Sequence, residues 1–180
     1  MNSSRPRYSS TSFPPYSYVP GYNPHPVSDP SGHMHGAVES LCTPLKPDTW
    51  HDTQKYLYGV DLFNHGYYWE AHEAWESLWH AAGRRGATAE FLKGLIKLAA
   101  AGVKAREGNS RGVERHARRA IELLNGAREQ IDSTENYCGV RLAEVIDMAS
   151  ALATDADTCF LEPRPSLLLP DFIELTVRTC

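Results

Sequence analysis

Proline is missing from the middle of this 180-residue chain: nine of its twelve prolines precede His51, the other three follow Glu162, and the 112 residues between have none. Without that ring's clash and lost donor, helices can run unbroken through a stretch that carries most of the Leu, Ala and Glu. Long apolar runs are also missing. No window approaches the roughly eighteen apolar residues of a membrane span, and Lys or Arg interrupts the longest candidates, which argues against a membrane protein. Charge of one sign is scarce. Eighteen Lys+Arg against 22 Asp+Glu leave a net charge of −4, contrary to a nucleic-acid binder built on phosphate neutralisation. Cysteine is sparse and scattered, at Cys42, Cys138, Cys159 and Cys180, with no Cys-x-x-Cys and no paired Cys/His knuckle. That excludes a disulfide scaffold or zinc finger and predicts reduced thiols in a cytoplasmic protein. Residues 1–12 are serine-rich and lack the apolar core of a secretory signal. A nucleophile elbow, a glycine-rich phosphate loop and a dinucleotide fingerprint are absent too, which removes the commonest enzyme classes.

What is present sorts into three parts. Residues 1–47 form a proline- and tyrosine-rich arm whose Phe13-Pro14-Pro15-Tyr16 and Pro24-His25-Pro26 favour extended backbone. Tyr8, Phe13, Tyr16, Tyr18 and Tyr22 give it an aromatic density that disordered tails lack, so the arm is a candidate to pack on the folded part. Residues 48–162 carry helix punctuation. Asp48 or Thr49 caps a first helix with Tyr56, Leu57, Val60 and Phe63 inside, stopped at Asn64-His65-Gly66. A second spans 67–82, and a third opens at Thr88 and stops at Gly108. A fourth opens at Asn109 or Ser110, with Val113, Ala117, Ala120, Ile121 and Leu124 as its inner stripe. After a polar break at Asp132-Ser133-Thr134, a fifth aligns Leu142, Val145, Ile146, Ala149 and Leu152. Residues 163–180, with Pro163, Pro165 and Pro170 around Leu167-Leu168-Leu169, read as an extended strap. The expected fold is all-α: a small up-and-down helical bundle of about five helices with extended N- and C-terminal straps.

The second helix carries the densest chemistry. At 3.6 residues per turn, Tyr68, Ala71, His72, Trp75 and Trp79 share one face, Glu76 lies one turn beyond His72, and Glu73 adds a second carboxylate. An imidazole and a carboxylate at i, i+4 suit a divalent metal ion, in the manner of a His-Glu-x-x-His helix with its last ligand changed to Glu. The third ligand is open among His65, the arm histidines His25, His33 and His35, and His116. A local hydrogen bond between His72 and Glu76 inside an aromatic core is the competing reading. On the third helix, Gly94, Ala101 and Ala105 form a small-residue side for this face to approach. Lys97 either reaches inward to Glu73 or Glu76, as a structural ion pair in the cation's place, or snorkels to solvent. Arg111, Arg115, Arg118, Arg119 and His116 make a basic side on the fourth helix, read with Glu114 and Glu122 as a solvated, salt-bridged face.

The run Leu62-Phe63-Asn64-His65-Gly66-Tyr67-Tyr68-Trp69-Glu70-Ala71-His72-Glu73-Ala74-Trp75-Glu76-Ser77-Leu78-Trp79, followed by Phe91-Leu92-Lys93-Gly94-Leu95-Ile96-Lys97-Leu98-Ala99-Ala100-Ala101, resembles the bacterial and archaeal family of domain of unknown function 309. Its signature of His, three residues, Glu, two residues and Trp or Tyr is matched by His72, Glu76 and Trp79. The likeness covers roughly 50–126 and implies a small all-helical domain with a suggested metal-binding role for His72 and Glu76. It implies no known reaction. Two functions follow. The first is a non-catalytic interaction or structural module with an inner His/Glu site, for which Leu62, Gly66, Tyr67, Ala71 and Trp75, with a faint echo over 108–120, lie near tetratricopeptide-like spacing. Its partner would be another protein or a second copy of the chain. The second is a metal-binding protein or metal-dependent hydrolase, in which His72 and Glu76 hold a divalent ion and Glu73 acts as general base.

Overall fold

The computed structural model describes residues 5–38, 42–131, 136–169 and 175–177. Five α-helices follow one 3-10 segment, Pro47–Asp52: α1 Gln54–Asn64, α2 Tyr68–Ala81, α3 Ala87–Arg106, α4 Ser110–Glu129 and α5 Leu142–Cys159. No strand occurs among the described residues. Each helix packs chiefly on the next in sequence, so the chain is an all-α, up-and-down succession with α3 between α2 and α4. No helix of the described residues is long and apolar enough to cross a membrane.

Local chemistry accounts for most of the boundaries, with two shifts from expectation. The first helix starts at Gln54 rather than after Asp48 or Thr49: Pro47 opens a tight 3-10 turn, and Thr49 leaves helical geometry at φ −128°. The third starts one residue before Thr88, after Gly86 at φ +83°. Asn109 caps α4 as expected, its side-chain oxygen accepting the Gly112 N–H at 2.8 Å. Before α5, Cys138 (φ 50°) and Gly139 (φ 80°) make a tight turn closed by reciprocal backbone bonds between Tyr137 and Val140. The expected break at Asp132-Ser133-Thr134 lies outside the described residues, as do Pro170, Phe172-Ile173-Glu174 and Cys180.

The core runs through Tyr56, Val60, Phe63, Trp75, Phe91, Leu95, Leu98 and Leu124, all within 1% of complete burial. Two glycines set its closest approaches. A Cβ on Gly59 would lie 2.3 Å from the indole nitrogen of Trp75, and one on Gly102 would lie 2.6 Å from the Tyr68 ring. Gly94, placed by sequence on the side facing α2, instead faces α4, where a Cβ would lie 2.7 Å from the Leu124 side chain. The small residues of α3 therefore serve both of its neighbours, because a central helix must admit helices on two sides.

Both flanking segments are docked on the helices by buried polar side chains. Asp61, fully buried on α1, accepts the Tyr8 N–H (2.7 Å), the Ser9 N–H (2.8 Å), the Ser9 hydroxyl (2.6 Å) and Arg7 Nε (3.1 Å). Phe13 stacks on Tyr67 at 5.0 Å, and Val19 is 1% exposed. The arm's aromatics thus contribute to packing, as their density predicts. At the other end, the Asn64 amide both donates to the Leu175 carbonyl and accepts its N–H, each at 2.9 Å. The Tyr68 hydroxyl accepts the Leu169 N–H at 2.8 Å. Arg106, 5% exposed, donates to the Leu167 carbonyl and the Ser17 hydroxyl, each at 2.8 Å, and so touches both straps. Unpaired, these buried groups would each be costly; pairing them with strap backbone removes that cost and fixes the straps' paths.

Candidate functional site

Helix α2 starts after the tight turn at Gly66 (φ 84°) and presents three faces. Tyr68, Ala71, Trp75 and Leu78 go into the core, where the Trp75 indole N–H donates to the Tyr56 carbonyl at 3.4 Å. Glu70 and Ala74 turn toward the N-terminal arm. His72, Glu73, Glu76 and Trp79 lie along the remaining, partly open side.

On that open side the Nε2 of His72 stands 3.4 Å from Glu76 Oε2 and 4.0 Å from Glu73 Oε1. One ligand atom from each of the three residues lies within 4.8 Å of the others, and their side chains are 28%, 34% and 33% exposed. The third member of the cluster is therefore Glu73, not one of the five candidate histidines. His65 points its Nδ1 at the Asp61 carbonyl at 2.8 Å, and His25 packs between Tyr18 and Trp69. His33 faces Glu70, and His35 sits 3.0 Å from the Val27 carbonyl. Burial is the largest influence on the His72 imidazole and holds it below its ordinary pKa, against the opposing pull of Glu76. Burial, then Lys97, Arg115, Lys104 and His72, push His116 of α4 down to about 4. His116 thus belongs to the same electrostatic neighbourhood.

The lysine beside Glu76 is Lys93, at 3.9 Å from Oε1, rather than Lys97. The hairpin at residues 82–86 sets the end of α2 beside the start of α3, so the earlier lysine is level with Glu76. Lys97 is partly buried near His72, whose pKa it helps lower. Lys93 also places its ammonium 3.7 Å from the centre of the Trp79 ring, with Arg84 at 5.2 Å. Trp79 is thus a half-buried cation-binding ring, whereas Trp75 and Tyr68 are core. On α4 the basic side pairs locally, Arg118 with Glu114 at 2.9 Å and Arg119 with Glu122 at 2.6 Å. All these chains are substantially exposed, so the pairs add little stability.

Sequence reasoning passed over Glu70, two residues before His72 and on a different face. Its carboxyl is 3% exposed, and Oε1 accepts the Tyr18 N–H at 2.8 Å. Burial raises its pKa to about 7, with the Tyr18 hydrogen bond acting against it. His33 reaches from the arm to within 3.7 Å of Oε1, its side chain 8% exposed. The available signal was a carboxylate one turn before the apolar Ala74, on the side opposite His72. The described part of the arm therefore packs on the Glu70 face and α1.

The described residues thus form a small all-α bundle with a His/Glu cluster on its second α-helix. Residues 56–116 match the family described as Domain of unknown function (DUF309). A search of curated proteins found no match.

Proposed function

We propose that the protein is a non-catalytic helical module that holds one divalent cation between His72, Glu73 and Glu76. It would be organised as an arm over 1–47, a helical domain over 48–162 and a strap over 163–180, and be cytoplasmic, in keeping with the free thiols of Cys42, Cys138 and Cys159 among the described residues. The observation that carries the reading is the convergence of one imidazole and two carboxylates within 4.8 Å on a single half-buried helix face. An N,O,O donor set of this kind suits the borderline and harder divalent first-row ions. An ion held there would neutralise two carboxylates that otherwise repel one another. Glu73 serves as a ligand in this reading, which leaves the hydrolase alternative without its general base. A protein partner or a second copy of the chain remains the proposed interaction.

A second reading is favoured by Lys93, whose ammonium stands 3.9 Å from Glu76 and over Trp79. Here the lysine is the resident cation, and His72, Glu76, Lys93 and Trp79 form a structural lock. Titration of tag-free protein with Zn²⁺ and Mn²⁺ by calorimetry, alongside elemental analysis, separates the two. The metal reading expects one ion per chain, at least about tenfold weaker binding in His72→Ala and Glu76→Gln, and tighter binding in Lys93→Met. Absence of stoichiometric uptake, with Lys93→Met melting lower than the parent, overturns it in favour of the lock.

A further inference from the structure

Between the arm and the outer side of α1 and α2 lies a cavity of about 540 Å³, within the range of small-molecule sites. Its walls are mainly apolar, with Val27 and Met34 from the arm, Leu62 from α1 and Ala74 from α2. Two polar side chains more than nine-tenths buried line it, Glu70 and His33. Glu70 Oε2 and both ring nitrogens of His33 have no hydrogen-bond partner among the described residues. Buried polar atoms are almost always paired, so Glu70 Oε2 and the unprotonated ring nitrogen of His33, two acceptors on residues that line one cavity, point to a ligand that supplies donors. Glu70 Oε1 is already engaged by Tyr18, which fixes the carboxyl and leaves Oε2 as the acceptor without a partner among the described residues.

We propose that this cavity binds a small organic ammonium ion, its charged nitrogen donating to Glu70 Oε2 and His33 while its apolar body lies against Val27, Met34, Leu62 and Ala74. The lining selects the class: acceptor groups predominate in Glu70, Glu73 and His33, against the single ammonium of Lys55. A primary ammonium also carries the three donors that a carboxylate oxygen and an unprotonated imidazole nitrogen can share. Ring-sized apolar bodies fit the volume, whereas a bare metal ion would leave the apolar wall without contact. Of the three residues in the metal reading only Glu73 borders the cavity, and Glu70→Gln leaves all three in place, so its effect on amine binding is separable from metal uptake.

The test titrates the full chain with 2-phenylethylamine and with 2-phenylethanol, which has the same body and no charge. Calorimetry is expected to show saturable 1:1 amine binding at least about tenfold tighter than the alcohol. Methyl resonances of Met34 and Ala74 should shift on amine addition while that of Met148, on α5, stays in place. Glu70→Gln, which keeps the acceptor for Tyr18, should weaken the amine at least about tenfold and leave the alcohol unchanged. Equal affinity for amine and alcohol overturns the proposal, as does saturation that shifts Met148 rather than Met34 and Ala74. Failure of the amine to saturate wild-type protein overturns it whatever the behaviour of the variant.

Discussion

Replacing Asp61 with alanine tests whether the N-terminal arm is an integral part of the fold. Asp61 is fully buried and accepts two backbone amides, one hydroxyl and one guanidinium from residues 7–9. A hydrogen bond to a charged group contributes about 1.5–3 kcal/mol, but four on one carboxylate do not add, because the arm lifts away as a unit once the first are lost. Breaking a buried, hydrogen-bonded charge cluster from one side costs about 3–5 kcal/mol, and that range is the expected loss for Asp61→Ala. For a chain of this size it corresponds to a melting temperature lower by on the order of 10 °C. The Arg7 contribution should be the smallest part, since its side chain is 34% exposed. A double-mutant cycle with Arg7→Ala should accordingly return a coupling of about 1 kcal/mol or less. Hydrogen exchange supplies the local assay: the Tyr8 and Ser9 amides, protected by Asp61 in the parent, should exchange at near-unfolded rates in the variant. Unchanged protection of these two amides, or a melting temperature indistinguishable from that of the parent, would mean that Asp61 does not hold the arm on the helices.

Two further outcomes follow from individual contacts. Gly59→Ala gains up to about 1 kcal/mol in helix propensity but drives a methyl to 2.3 Å from Trp75 Nε1. Overpacking of about 1–3 kcal/mol should win, so chemical denaturation should find the variant less stable by about 1–2 kcal/mol; equal or greater stability would count against the close approach. His33 has its pKa lowered from 6.5 by burial, so the folded state refuses a proton that the unfolded chain accepts. Its contribution is therefore level above pH 6.5 and falls as the pH drops below it. His33→Phe should be relatively more stable than the parent at about pH 5.5 than at about pH 7.5. Glu70 and Tyr16, the groups facing His33, are common to both proteins. A difference between the two proteins that does not change with pH sinks this assignment.

Much of the helical frame was legible because its signals are local. Proline exclusion, the Asn109 cap and the glycine stops at Gly66, Gly83 and Gly108 act within a turn or two of where they stand, and four of the five helices begin or end within two residues of them. The spacing of His72, Glu73 and Glu76 was legible for the same reason, since one helix places all three. What sequence could not resolve were the contacts between elements. Choosing Lys93 over Lys97 requires the register of α2 against α3, which the hairpin loop sets. Choosing Leu124 as the neighbour of Gly94 requires knowing that α3 is central. The arm's path depends on Asp61, a single polar residue inside Val60-Asp61-Leu62-Phe63, where an apolar run gives no hint of its partners some fifty residues earlier.

The distribution of those partners bears on what the matched segment can do alone. Asp61, Asn64, Glu70 and Arg106 all lie within residues 56–116, yet the groups that satisfy them come from residues 7–18, 167 and 175. The inner positions Leu124, Ala127, Val145 and Leu152, which complete the core beyond Gly94, also lie outside it. Cutting the chain to 56–116 would expose an apolar face of α3 and leave two carboxylates, a guanidinium and a carboxamide without their donors or acceptors. The two proline-rich flanks therefore complete the helical unit: their extended backbone leaves its amides and carbonyls free of internal helix bonds, and those are the groups that the buried polar residues of α1, α2 and α3 engage.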